Sequence, residues 1–210
     1  MSRKSVRETY ERIGAHFSKT RVNPWPEVES FLDGRAGALG VDIGCGNGRH
    51  TELLAGRTER TLGVDASRAL LAEARERARA EAFDAAFALG DAGRLALRPN
   101  CVDIAVYVAT LHHLPSERAR RASLSELARV LAPGGRALVS VWATTHDRFD
   151  ATEGFDTEVD WTLPGGETVP RFYHIYAPAE FRETVETSAL ALHEFRVSAG
   201  NCYAVVGPEE

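Results

Sequence analysis

Ala38-Leu-Gly-Val-Asp-Ile-Gly-Cys-Gly-Asn-Gly48 decides the fold: an apolar strand runs straight into glycines at Gly44, Gly46 and Gly48. A glycine-rich turn after a strand lets the backbone approach a nucleoside cofactor where any Cβ would clash. Asp42 stands inside the strand, just ahead of the turn. A second acid, Asp65, closes the next apolar run, Thr61-Leu-Gly-Val-Asp65, where a carboxylate can hold ribose hydroxyls.

Two rival readings of the triplet lose ground. A nicotinamide enzyme of the doubly wound type calls for Gly-x-Gly-x-x-Gly, the third glycine allowing close helix–strand packing. Here that position is Arg49, and the glycine comes one residue early. A phosphate-gripping loop ends in Gly-Lys-Ser/Thr, whereas Gly48 is followed by Arg49-His50.

Outward from the triplet, the chain alternates strand and helix, which is how a mostly parallel sheet is written. Helical segments are expected over 6–17 and 26–32, the latter opened by Pro26, whose missing amide hydrogen suits a first turn. Strands follow over 39–43 and 61–64. Ser67 caps a long Ala-, Leu-, Glu- and Arg-rich helix over 68–82. Further strands cover 85–89 and 102–108, the second nearly all apolar, as for a strand covered on both faces. Ser116 opens a helix through Val130, closed by Pro133-Gly134-Gly135, and a strand spans 136–142. Residues 143–170 are polar and read as a long insertion, of the kind that is functional or disordered. A segment over 172–175, a helix over 178–188 and strands over 190–197 and 202–206 complete the chain. The short link at Ser198-Ala-Gly200 makes the last two strands a hairpin, with the final strand antiparallel.

The 210 residues fit a single domain, 1–210, with a core that needs no staples. No apolar run nears the ~20 residues that span a bilayer, and the Met1–Arg7 start lacks the apolar stretch of a secretory signal. A cytoplasmic protein with no membrane partner is expected. Cys45, Cys101 and Cys202 are scattered and odd in number, indicating neither a disulfide framework nor a structural zinc. A net charge of −5 argues against generic adhesion to nucleic acid and leaves room for a local basic face. Lys4 and Lys19 are the only lysines, so arginine carries nearly all the positive charge, as coding bias in a GC-rich genome would produce.

Asp42 with Gly44, Gly46 and Gly48, then Asp65, Gly90-Asp91, the strand over 102–108 and Leu131-Ala-Pro-Gly-Gly135 stand in the order seen in class I S-adenosylmethionine-dependent methyltransferases. The resemblance covers roughly residues 36–142. It implies an α/β, Rossmann-like, seven-stranded sheet with strand 7 antiparallel and helices on both faces. S-adenosylmethionine would lie across the carboxyl ends of strands 1, 2 and 4. The resemblance implies cofactor contacts from Asp42, Gly44, Gly46, Asn47, Asp65, Ala66, Asp91, Ala92 and Val108. Asp65 would take the ribose, Ala66 would flank the adenine, and Asp91 with Ala92 would meet its amino edge.

A second set of residues resembles a narrower family. Tyr10-Glu-Arg-Ile-Gly-Ala-His-Phe-Ser-Lys-Thr-Arg21, Pro24-Trp-Pro26, His112-His113, Val141-Trp142-Ala143, Arg171-Phe-Tyr-His174 and Asn201-Cys-Tyr-Ala-Val-Val206 are similar to the tRNA wobble-uridine carboxymethyl methyltransferases, including the methyltransferase part of AlkB-homologue fusions. The chain departs from that family at Phe172, Leu114 and Cys202. The resemblance implies methyl-ester formation on a 5-carboxymethyl wobble uridine, with tRNA as partner. The other acceptor weighed is a small-molecule carboxylate or phenol.

Methyl transfer from a sulfonium is an in-line displacement, and a carboxylate nucleophile is already ionised at neutral pH. Alignment and a dry site therefore count for more than a general base. Arg21 and Arg171 are candidates for orienting an RNA phosphate or the acceptor carboxylate, because a guanidinium matches both. Trp25, Trp142 and Tyr173 could stack a splayed base, and His113 and His174 could hydrogen-bond the uracil or the carboxylate. The segment 1–35 reads as a helical lid over cofactor and substrate. The strand Ala85-Ala-Phe-Ala-Leu89 would lie at the sheet edge with no charge or proline to blunt it. The resemblance implies that a small zinc-containing activator subunit docks there.

Overall fold

The computed structural model describes residues 3–209. Met1, Ser2 and Glu210, which belong to the single-domain range and to the N-terminal reading above, lie outside the described residues. Strands β1 (Gly37–Ile43), β2 (Thr58–Asp65), β3 (Ala86–Leu89), β4 (Val102–Val108) and β5 (Leu131–Trp142) run parallel. Outside this sheet, β6 (Phe155–Thr162) and β7 (Thr168–Ile175) form a separate antiparallel pair. The strands β8 (Leu190–Ser198) and β9 (Asn201–Pro208) complete a seven-stranded sheet of order β3-β2-β1-β4-β5-β9-β8. The last strand, β9, is antiparallel to both β5 and β8, as the short link predicts. Ala199 and Gly200 take φ of 46° and 74°, the left-handed pair that a two-residue hairpin turn needs.

Strand order reverses between β1 and β4, which opens a crevice at their carboxyl ends. Alternation along β4 fills two cores. Ala105 and Tyr107 join Val41, Ile43, Leu124 and Val139 on one face of the sheet. Ile104, Val106 and Val108 join Val28, Phe31, Leu54 and Tyr203 on the other.

The helices start where local chemistry puts them. Ser67 Oγ accepts from the Leu70 amide and opens α4 (Arg68–Ala80); Ser116 Oγ does the same for the Ala119 amide at α5 (Glu117–Val130). The helix α2 (Pro26–Leu32) begins at its proline, and α3 (Arg49–Ala55) rises directly out of the glycine loop. The long α1 (Arg3–Lys19) packs on α4 and β7, and α6 (Pro178–Glu186) packs against β8.

Two expectations need correction. Pro133-Gly134-Gly135 does not close α5: Leu131 is already extended and pairs with Val102, and the Pro-Gly-Gly stretch is a bulge before pairing resumes at Ile104 and Arg136. The 143–170 insertion is largely ordered, because Phe155-Asp-Thr-Glu-Val-Asp-Trp-Thr162 alternates inward and outward residues and pairs as β6 with β7.

Candidate functional site

The glycine loop reaches its shape through positive φ at Gly44, Gly46 and Gly48 (72°, 56° and 81°). At Gly44 an added Cβ would come within 2.7 Å of Thr110 Cβ, so the loop lies hard against the end of β4. At Gly46 the same atom would meet nothing within 4 Å, so the loop presents bare backbone to open space. Asp65 closes the crevice from β2: its Oδ2 accepts from the Gly46 amide (2.9 Å) and its Oδ1 from the Ser67 amide (2.8 Å). Burial pushes the Asp65 carboxyl up, and the amides of Ser67, Gly46 and Ala66 pull it back. Each carboxylate oxygen keeps a further lone pair for a ribose hydroxyl. Ala66 is exposed beside it, and Asp91 and Ala92 are half-buried after β3, with Asp91 Oδ1 taking the Gly93 amide (2.7 Å). Bare backbone, a ribose acid and an acid after β3 fit S-adenosylmethionine.

Other cofactor candidates have their side chains engaged within the fold. Asn47 is buried and spends its amide on α1: Nδ2 donates to Arg21 O (2.9 Å) and to Ser18 O and Oγ (3.3 and 3.2 Å). Val108 packs its side chain into the second core. Asp42 is buried and accepts from Thr51 Oγ1 at 2.7 Å. Burial, outweighing Thr51 and reinforced by Asp65, raises the Asp42 pKa to about 7. The native state then binds an extra proton from about pH 4, the ordinary carboxylate value, up to about pH 7. Stability therefore falls as pH rises across that window and is flat above it. Asp42→Asn removes the titration, so its melting temperature should exceed that of the parent at pH 8, with the gap closing towards pH 4. Thermal scans at several pH values check this; a gap independent of pH would contradict it.

The candidate acceptor side is a cluster assembled from α1, the 3-10 turn Leu111–His113, the end of β5 and the β6–β7 hairpin. Arg171 and Tyr173 share one face of β7, and Arg171 Nη1 donates to Tyr173 Oη at 2.7 Å. Arg171 is only 6% exposed, its Nε has no partner, and among the described residues it stands in no ion pair. Its guanidinium lies 5.0 Å from the Trp161 ring and 5.2 Å from the Tyr173 ring. A buried cation without a counter-ion is costly unless an anion completes it.

His113 borders this cation. The Phe172 carbonyl can only accept, so His113 Nδ1 carries the hydrogen of that 2.8 Å bond, and Nε2 takes the Tyr10 hydroxyl hydrogen at 2.9 Å. Burial, with Arg171 adding to it and Phe172 opposing, lowers the His113 pKa to about 3. The ring is neutral at neutral pH and its lone pair is already in use. His112 is also held neutral, chiefly by burial, and its Nδ1 accepts the Trp142 amide at 2.9 Å.

Several sequence candidates land elsewhere. Trp142 and Tyr173 are brought together, but they stack on each other (4.8 Å, 21°) over Val159, Ile175 and Phe149, so they form a floor and not a pair of jaws. Trp25 lies on the other side of the sheet against His50 and Tyr203, part of the second core. His174 points away from Arg171 because strand neighbours alternate; Asp156 (2.6 Å) and Glu180 (2.7 Å) occupy both its ring nitrogens and tie the hairpin to α6. Arg21 stands at the rim, over Phe17 and Trp161.

The sequence reading missed Tyr10 and Trp161 as members of the site. Tyr10, Ile13 and Phe17 fall on one face of α1, and Trp161 falls on the inward face of an alternating strand, so both signals were present.

A crevice at the strand-order reversal, lined in this way, defines a Rossmann-like enzyme that binds S-adenosylmethionine. Residues 41–135 match the family described as a methyltransferase domain. Proteins similar to the chain include tRNA (carboxymethyluridine(34)-5-O)-methyltransferases. The chain is 29% identical to the one from Schizosaccharomyces pombe, over 95% of this chain and 94% of that protein. It is 37% identical over 144 residues to the mouse enzyme ALKBH8, and there the chain spans about a fifth of its relative, 20% of the length. Among solved structures, the methyltransferase complexed with the Haloferax volcanii Trm112 methyltransferase activator superposes with a TM-score of 0.71 over 98% of both chains, at 17% identity, which shows a shared fold.

Proposed function

We propose that this protein methylates the carboxylate of a 5-carboxymethyl uridine at the tRNA wobble position. The observation that carries the reading is Arg171, a buried guanidinium whose counter-ion the substrate would supply. S-adenosylmethionine supplies an electrophilic methyl group on a sulfonium. The chain holds the acceptor: Arg171 orients the carboxylate in a forked geometry, and Tyr10, His113 and Tyr173 wall off water. No proton needs removing, which suits a site whose histidines are neutral and already bonded. A phenol acceptor is disfavoured on the same ground, since a phenol of pKa about 10 needs a base and His113 is held near 3. The relatives' names support the same acceptor.

Incubation with methyl-labelled cofactor and tRNA carrying the carboxymethyl uridine should place base-labile label in that nucleoside after digestion. Label confined to small molecules would overturn the reading.

Among the described residues no helix is long and apolar enough to cross a membrane. A tRNA substrate goes with a cytoplasmic enzyme.

The partner proposal concerns β3. Among the described residues it pairs only with β2, and it leaves Ala86, Ala88 and Leu89 exposed, Leu89 by 46%. Arg75 reaches from α4 to the Phe87 carbonyl (2.9 Å), so the edge is less bare than its own sequence implies. We infer that a small zinc-containing activator subunit extends the sheet there, as the fold shared with an activator-bound methyltransferase suggests. Coexpression with such a subunit should raise soluble yield and activity. A fully active, monodisperse monomer produced alone would count against it.

A further inference from the structure

Between α1 and α2 the chain crosses the rim of the site at residues 21–23, and three side chains take its three successive carbonyls. Asn47 Nδ2 donates to Arg21 O (2.9 Å), Arg77 Nη2 to Val22 O (2.9 Å) and Arg49 Nη1 to Asn23 O (3.2 Å). Two of these donors are guanidiniums, and Arg21 adds a third. Glu52 pairs with Arg77 at 2.8 Å, but among the described residues Arg21 and Arg49 stand in no ion pair. Val22 crowns the ridge, 57% exposed.

This positive charge is concentrated in a chain of net charge −5. Burial first, and the neighbouring Arg21 next, push Arg49 down to about 10, so the cluster is held against its own repulsion. Both free guanidiniums rest on aromatic platforms: Arg21 lies 5.0 Å from Phe17 and 5.6 Å from Trp161, and Arg49 lies 5.4 Å from Trp25. Trp161 also carries Arg171 at 5.0 Å, so one ring touches both the buried Arg171 and Arg21.

We propose that Arg21 and Arg49, displayed on the 21–23 ridge, bind backbone phosphates of the RNA strand on either side of the nucleotide that enters the Arg171 pocket. The inference rests on the RNA reading above and adds where the RNA runs. Planar guanidiniums fixed on aromatic rings match phosphate in a fork and lose little freedom on binding. A cluster that reads phosphate carries no base specificity; it sets position and salt dependence.

The test is the affinity for tRNA as a function of salt, measured with the full chain by fluorescence anisotropy. Each lost single-strand phosphate contact should make the log–log slope shallower by about 0.7, for Arg21→Gln and for Arg49→Gln, and the double variant should lose about twice that. Binding at low salt should weaken about tenfold per variant. Arg21→Gln gives up hydrogen bonds to its neighbour Thr20 and the ring contacts to Phe17 and Trp161, but Asn47 still holds the Arg21 carbonyl, so the ridge stays standing, and Arg49→Lys should keep the slope by keeping the charge. S-adenosylhomocysteine affinity serves as a control and should not move for Arg21→Gln, and the melting temperature should fall by only a few degrees, as loss of the two ring contacts implies. Salt-dependent binding by the parent with an unchanged slope in both single variants and the double variant overturns the ridge. Absence of tRNA binding by the parent overturns the RNA reading itself.

Discussion

Arg171→Met should leave the fold as stable as before, or more so, while kcat/KM towards the carboxymethylated tRNA collapses. The substitution removes a buried cation whose Nε has no partner, along with its contacts to Trp161 and Tyr173. Relief of an uncompensated buried charge acts against loss of two cation–π contacts and of the hydrogen bond to Tyr173 Oη, and each side is worth a few kcal/mol at most here. Methionine refills the volume flexibly. In the substrate complex the balance is one-sided, because the carboxylate is left buried and unpaired. Truncating one partner of such a pair costs roughly 2–5 kcal/mol, which is about 30-fold to several-thousand-fold in kcat/KM. Calorimetry and steady-state kinetics on the same preparation check both halves. Cofactor affinity should be unchanged, since no atom of Arg171 bonds the glycine loop, Asp65 or Asp91. A variant that loses stability and keeps its kinetics would remove the observation on which the proposed acceptor stands.

Gly44→Ala should be among the most damaging single methyl additions to the chain. Two penalties coincide at this position. The backbone is left-handed at φ 72°, which costs an L-residue about 1–2 kcal/mol. The new Cβ also drives into Thr110, whose own Cβ is fixed at 2.7 Å by the end of β4, an overpacking cost of about 1–3 kcal/mol. Together they should lower the melting temperature by roughly 5–15 °C for a domain of this size. The loop that would cradle the cofactor shifts with them, so S-adenosylhomocysteine affinity should fall as well. Pairing the change with Thr110→Gly should recover the steric part and leave the backbone part. Gly46→Ala provides the contrast: with nothing within 4 Å of its Cβ, it costs the fold only the backbone penalty, and the methyl group intrudes on the cofactor instead.

Much of this arrangement is local and was therefore legible. Apolar runs set β1, β2 and β4; Ser67 and Ser116 set the starts of α4 and α5; Pro26 set α2. The hairpin over 155–175 was legible too, had its alternation been weighed against its polarity, and the same alternation separates His174 from Arg171 and Tyr173. Trp25 was not legible in this way. An aromatic beside two prolines can face a pocket or a core with equal local cost, and the packing of α2 on β4 decided for the core. The side-chain bonds of Asn47 were not legible for a related reason: their three acceptors lie 26 to 29 residues away in the chain.

From its amino acids alone the protein was bound to be an α/β chain with a glycine turn after its first strand and acids closing its strands. Hydrophobic period and backbone freedom are properties of neighbours, and neighbours are written in order. Folding in three dimensions decided the charge states. Tyr10 meets His113 across 103 residues, and His113 meets Phe172 across 59. Only that convergence excludes water, neutralises the imidazole and leaves Arg171 a buried cation in want of an anion, because desolvation depends on which distant segments close over a group.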